Sequence, residues 1–109
     1  MKVAINTCFG GFSISEEAIL KYAEYKGLNL HIVDTGIMVH VEDEKGNYFG
    51  DDNIKRNDPF LIKVIEELGE NANGLCAEIS IVEIPDGTDY IISEYDGVEH
   101  VAERHQTWR

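Results

Sequence analysis

The sequence predicts a small α+β domain: mainly antiparallel sheet, two amphipathic helices and a three-stranded meander at the C-terminal end. Three observations carry that expectation. Apolar residues alternate with polar ones in short runs at both ends of the chain. Two stretches carry apolar side chains at three- and four-residue spacing instead. Glycine-containing turns, among them Pro85-Asp86-Gly87 and Asp96-Gly97, punctuate the runs, and Asp-Gly between alternating segments is a strong hairpin signal. At 109 residues with 43% apolar content the chain is long enough for one core and too short for two. No repeat, low-complexity tract or linker divides it, so residues 1–109 are read as a single domain.

In order, Lys2–Ile5 reads as a strand. A first helix is expected from about Ile14 to Lys26, with Ala18, Ile19, Tyr22 and Ala23 on one face. Ser13 and Glu16 have the spacing of a capping box at its start, and Gly27 is the stop. Leu28–Val33 and Gly36–Glu42 follow as strands joined by Asp34-Thr35-Gly36. The turn Lys45-Gly46-Asn47 leads into Tyr48-Phe49. Gly50–Asn57 is polar and acidic and reads as a loop. Asp58-Pro59 opens the second helix with an aspartate cap and proline in the first turn, and Leu61, Ile62, Val64, Ile65 and Leu68 form its apolar stripe. That helix should stop at Gly69 or near Gly74. Runs around Ile79–Ile81, Tyr90–Tyr95 and Val98–Glu103 supply the expected meander.

Composition excludes several functions. There are 21 acidic and 9 basic residues, a formal charge of −12, so polymeric DNA or RNA and anionic membrane surfaces would be repelled. No run approaches the ~20 apolar residues that a membrane-crossing helix needs, and the N-terminus has no signal-peptide pattern. The two cysteines, Cys8 and Cys76, make no disulfide framework and read as reduced thiols, with no CxxC pair to suggest zinc. The acidic stretch Glu42–Asn53 lacks the ligand order of a calcium loop, no lysine follows a glycine loop as in a phosphate-binding P-loop, and His31 and His40 read as sheet residues. No cofactor or metal is expected.

Three segments carry candidate chemistry. Asn6-Thr7-Cys8-Phe9-Gly10-Gly11-Phe12 joins a strand to a helix N-terminus. There the bare amides of Gly10 and Gly11 and the helix dipole suit an anion, and Phe9 and Phe12 offer stacking faces. The same residues also suit a tight turn whose phenylalanines enter the core. Arg56-Asn57-Asp58-Pro59-Phe60 sets a guanidinium beside a second helix start, which on its own reads better as a capped helix. The closing Arg104-His105-Gln106-Thr107-Trp108-Arg109 is cationic and holds the only tryptophan. Arginine grips phosphate in a two-pronged fashion and tryptophan stacks on bases, although chain ends are often unordered. A catalytic alternative uses Cys8 as a thiolate with His100 or His105 as base. An acidic, protein-binding inhibitor is a third.

Taken together, NTCFGGFSIS, RNDPFLIKVIEELGENANG, AEISIVEIPDGTDY and SEYDGVEHVAERHQTWR resemble, in this order and across nearly the whole chain, small phage proteins of the Thoeris anti-defence group, of the signal-sequestering type. The resemblance implies a non-enzymatic trap for glycocyclic ADP-ribose, the messenger made by bacterial TIR-domain proteins, acting in the host bacterial cytoplasm. It further implies a homo-oligomer with ligand near subunit boundaries, and for some such proteins cyclic oligonucleotides at a second site. A pyrophosphate, two riboses and an adenine need anion donors, hydroxyl partners and flat apolar surface. The expected binding set is therefore Arg56, Arg104 and Arg109 with the amides of Gly10 and Gly11 for phosphate. Phe9, Phe60 and Trp108 are the stacking residues. Asn6, Asn57, Asp58 and Thr107 would hold ribose.

Overall fold

The computed structural model describes residues 1–104. The elements run β1 (Lys2–Asn6), α1 (Glu16–Lys26), β2 (Leu30–Asp34), β3 (Val39–Asp43), β4 (Tyr48–Phe49), α2 (Pro59–Leu68), β5 (Ile79–Glu83), β6 (Tyr90–Tyr95) and β7 (Val98–Glu103). All strand pairings are antiparallel, as an α+β architecture requires. Among the described residues, no helix is long and apolar enough to cross a membrane.

Both helices bury the faces their periodicity predicts. Ala18, Ile19 and Tyr22 of α1 and Leu61, Ile62, Val64 and Ile65 of α2 join Ala4, Ile14, Val41, Ile54 and Ala72 in one core, and Ala23 of α1 is also buried. Asp58 caps α2 by accepting from the Phe60 amide at 2.9 Å, with Pro59 in the first turn. The start of α1 differs from expectation. Ser15 is the cap, accepting from Ala18 N at 3.1 Å, and the Ser13–Glu16 box does not form. Ser13 is diverted because its carbonyl accepts from Gly74 N at 2.8 Å, which ties it to the chain after α2 before the helix begins.

The C-terminal half also departs from the expected three-stranded meander. The Pro85-Asp86-Gly87 turn forms, with Thr88 N donating to Pro85 O, but β5 and β6 do not pair across it. Instead β5 pairs with β1, from Lys2 opposite Glu83 to Asn6 opposite Ile79, while β6 and β7 form a separate hairpin. The reason lies in β1. Val3, Ala4 and Ile5 are at most 5% exposed, so this strand sits inside and its backbone needs partners on both edges. β5 satisfies one edge. The other is closed without a strand: Ala4 N donates to the Arg56 carbonyl at 2.8 Å, and Asn6 N donates to the Glu99 carboxylate at 2.9 Å. Glu99 comes from β7, so the hairpin lies across β1 rather than beside β5.

The third sheet, β2-β3-β4, forms an arm with apolar side chains on its surface. Ile32, Ile37, Met38, Val39 and Tyr48 are all substantially exposed on it, Ile37 almost completely. Within it His40 Nε2 lies 2.6 Å from Glu42.

Candidate functional site

Three chain reversals meet at one point. The first is the Phe9–Phe12 bend, the second the Gly74–Ala77 turn closed by Ala77 N to Gly74 O, and the third the Asp96–Gly97 tip of the β6–β7 hairpin. Asp96 and Gly97 both have positive φ, 51° and 86°, as a two-residue hairpin turn requires. Contact among the three is main chain against main chain. A methyl group on Gly97 would lie 2.4 Å from Gly11 N and 2.7 Å from Gly10 N, and one on Gly10 would lie 2.7 Å from the Cys76 carbonyl. Glycine is needed here for close approach. The bend's role as a packing joint, open from the sequence, is thus part of its structure.

Asn6 locks this junction. Fully buried, it donates through Nδ2 to the Cys8 and Gly97 carbonyls and accepts through Oδ1 from Cys8 N and Glu78 N. The hairpin tip and the residues flanking the other two turns are therefore joined by one side chain that the sequence marked only as a ribose partner. Phe9 and Phe12 go separate ways. Phe9 is 68% exposed, whereas Phe12 packs on the core with the Arg56 guanidinium 3.5 Å above its ring. Leu75 and Tyr95, from the other two turns, are exposed beside the junction. The result is a stiff backbone platform with apolar and aromatic side chains directed to solvent.

Cations are distributed differently from the expected phosphate set. Arg56 faces Glu99, its two terminal nitrogens 2.6 and 2.8 Å from the carboxylate oxygens, and its Nη1 also donates to the Ala4 carbonyl. Burial pushes the Glu99 carboxyl up, but the Arg56 hydrogen bonds, the Asn6 amide and the guanidinium charge together hold it below the ordinary carboxylate range. Arg56 thus enters the structure with its charge already matched. Arg104 lies beyond the far end of the hairpin, where β6 begins opposite Glu103, and makes an exposed pair with Asp89 at 3.3 Å. A six-residue strand at ~3.3 Å per residue separates it from the junction. Trp108, Arg109 and Thr107 fall outside the described residues.

The α2 start is likewise occupied from within. Asp58 caps the helix, accepts from Tyr22 Oη at 2.7 Å and pairs with Lys26 at 3.2 Å. Phe60 stacks on Tyr25, and Lys26 lies over its ring. Asn57 lines a shallow 290 Å³ depression with Met1, Lys2, Pro59 and Ile62. None of these groups reaches the three-turn junction.

The depression that does adjoin the junction has a volume of about 740 Å³ and is lined by Cys8, Gly69, Glu70, Asn73, Cys76, Ala77, Glu78 and Ile79. Its charged lining is acidic, so on its own it suits neutral or hydroxyl-bearing groups better than phosphate. Cys8 makes no hydrogen bond to a histidine among the described residues, and His100 is exposed on β7. Also among these residues, no group of three His, Cys, Asp or Glu side chains is placed to hold a metal ion. No protein-family model, curated protein or solved structure matches the chain.

Proposed function

We propose that this protein is a non-catalytic trap for a cyclic ADP-ribose isomer made by TIR-domain enzymes, binding it at the boundary between copies of the chain in the host bacterial cytoplasm and so blocking Thoeris defence. The resemblance of its sequence segments motivates the reading. The observation that carries it is the exposed Phe9 on a platform of close-packed main chain, beside exposed Tyr95 and Leu75. A purine stacked on such a ring gains about 1–3 kcal/mol, and little is lost in ordering a platform already fixed. Nanomolar retention needs about −12 kcal/mol in total, so stacking alone is insufficient and the pyrophosphate must meet cations. Arg56 is engaged by Glu99 and Arg104 is at the hairpin's other end, which favours a second copy bringing Arg104 and the Trp108–Arg109 tail to the junction.

The test is to mix the protein with the product of a TIR enzyme, filter, heat the retained fraction and analyse both by mass spectrometry. Intact messenger released only by heat is the expected result. New nucleotide products would instead indicate a hydrolase, and absence of uptake would refute the proposal. Removing Trp108 and Arg109 is expected to abolish uptake with the fold unchanged; full calorimetric affinity in the truncated chain would refute the tail's role. A protein-binding inhibitor is the second reading, favoured by the apolar side chains exposed on the β2–β3 arm.

A further inference from the structure

We propose that Cys8 and Cys76 form a dithiol site, which low-molecular-weight disulfides oxidise to an intramolecular disulfide tying the end of β1 to the turn before β5. The two residues are far apart in sequence but line one depression. Three contacts hold them there. The β1–β5 pairing continues past Asn6, with Thr7 N donating to the Glu78 carbonyl at 2.9 Å, so both chains leave the sheet side by side. Asn6 Oδ1 accepts from Cys8 N at 3.3 Å and from Glu78 N at 2.9 Å, fixing the two segments to one buried atom. Gly10, two residues after Cys8, approaches Cys76 so closely that a methyl on it would lie 2.8 Å from Cys76 Cβ.

Their surroundings give the thiols different roles. Cys76 is exposed at the tip of its turn, in the left-handed region at φ 61°, whereas Cys8 is half-buried. Cys76 therefore meets the oxidant. Its thiol loses a proton to solvent, and the thiolate attacks one sulfur of glutathione disulfide. A protein–glutathione disulfide forms and one glutathione thiolate leaves. Cys8, deprotonated in turn, attacks the Cys76 sulfur and expels the second glutathione. Two electrons pass from the cysteines to the glutathione disulfide, the two protons end on the glutathione thiols, and one sulfur–sulfur bond replaces another. The platform that carries Phe9 would then be braced covalently across two of its three turns.

The experiment incubates the full chain with glutathione disulfide and follows intact mass and free thiols. Expected is a monomer that has lost two hydrogens, has no alkylatable thiol and returns to the dithiol with excess reduced glutathione. Cys8→Ser should accumulate a stable glutathione adduct on Cys76, and Cys76→Ser should react more slowly than Cys8→Ser. In urea the intramolecular product should fall at least tenfold, because the fold no longer holds the cysteines together. A chain bearing glutathione on both cysteines, a disulfide-linked dimer, or no reaction would each overturn the proposal. So would ring closure undiminished in urea.

Discussion

Replacing Glu99 by alanine removes one carboxylate that satisfies a buried amide and a partly buried guanidinium. The Asn6 amide loses its only hydrogen-bond acceptor among the described residues, at a position with no solvent exposure, and an orphaned buried amide costs about 1–3 kcal/mol. Arg56 loses both ends of a two-pronged pair, for which a fully buried case would cost about 3–5 kcal/mol. The Arg56 side chain is 23% exposed and keeps its bond to the Ala4 carbonyl and its place over Phe12, so the lower end of that range, or less, applies. Since one carboxylate serves both partners the costs overlap, and a total of about 3 kcal/mol is expected. With a urea slope of about 1.5 kcal/mol per molar, the midpoint should fall by about 2 M. Glu99→Gln keeps an oxygen for Asn6 but not the charge for Arg56, and should lie about halfway. Asp89→Ala is the control, because it breaks an exposed arginine pair on the same hairpin and should change stability by less than about 0.5 kcal/mol. Hydrogen exchange should report faster opening of β6–β7 than of α1 or α2 in Glu99→Ala. A midpoint within error of the unaltered protein would refute the claim that this carboxylate closes the inner edge of β1.

The same group sets an acid response. Its pKa is depressed in the folded state, so its stabilisation is complete above the unfolded glutamate value and is lost as pH falls through the lower folded value. Between about pH 5 and 3 the unaltered protein should therefore lose more stability than Glu99→Gln, measured by urea titration at each pH; parallel curves would contradict this. Gly97→Ala should cost about 3 kcal/mol, from a left-handed backbone and a clash with main-chain atoms that cannot swing aside, whereas Gly87→Ala, with φ 81° and open space around it, should cost about 1 kcal/mol. Thermal denaturation of the two variants checks the difference, and equal values would exclude the close approach as its cause. Phe9→Ala should leave stability within about 0.5 kcal/mol of the parent and weaken messenger retention at least tenfold in the filtration assay. Unchanged retention would remove Phe9 from the site.

Local signals in the chain were reliable where neighbours in sequence decide the outcome. The faces of α1 and α2, the Asp58 cap with Pro59, the Gly27 stop and the Asp96-Gly97 hairpin all depend on spacings of a few residues, and each forms as read. Ser13 failed as a cap because Gly74, a residue no local pattern connects to it, claims its carbonyl. The meander failed for a related reason. A turn signal at Pro85-Asp86-Gly87 says that the chain reverses, not which strand it will pair with. The partner was chosen by the burial of Val3, Ala4 and Ile5, which draws β5 to β1. Among candidate site residues, the exposed Phe9 beside a glycine bend was legible. The neutralisation of Arg56 was not, since Glu99 is one of 21 acids and nothing in its surroundings marks it as buried. Asn6 was singled out for the wrong chemistry: its fourfold bonding emerges only once three distant turns converge.

The exposed Ile37, Met38 and Val39 at the end of the β2–β3 arm have a consequence for handling the molecule in solution. Particles carrying a formal charge of −12 repel one another, and that repulsion is what keeps such greasy tips from sticking. Its range is about 10 Å at 0.1 M salt and about 3 Å at 1 M, so concentrated brine should turn a well-dispersed preparation into one that clumps tip-first, and dilution should reverse it.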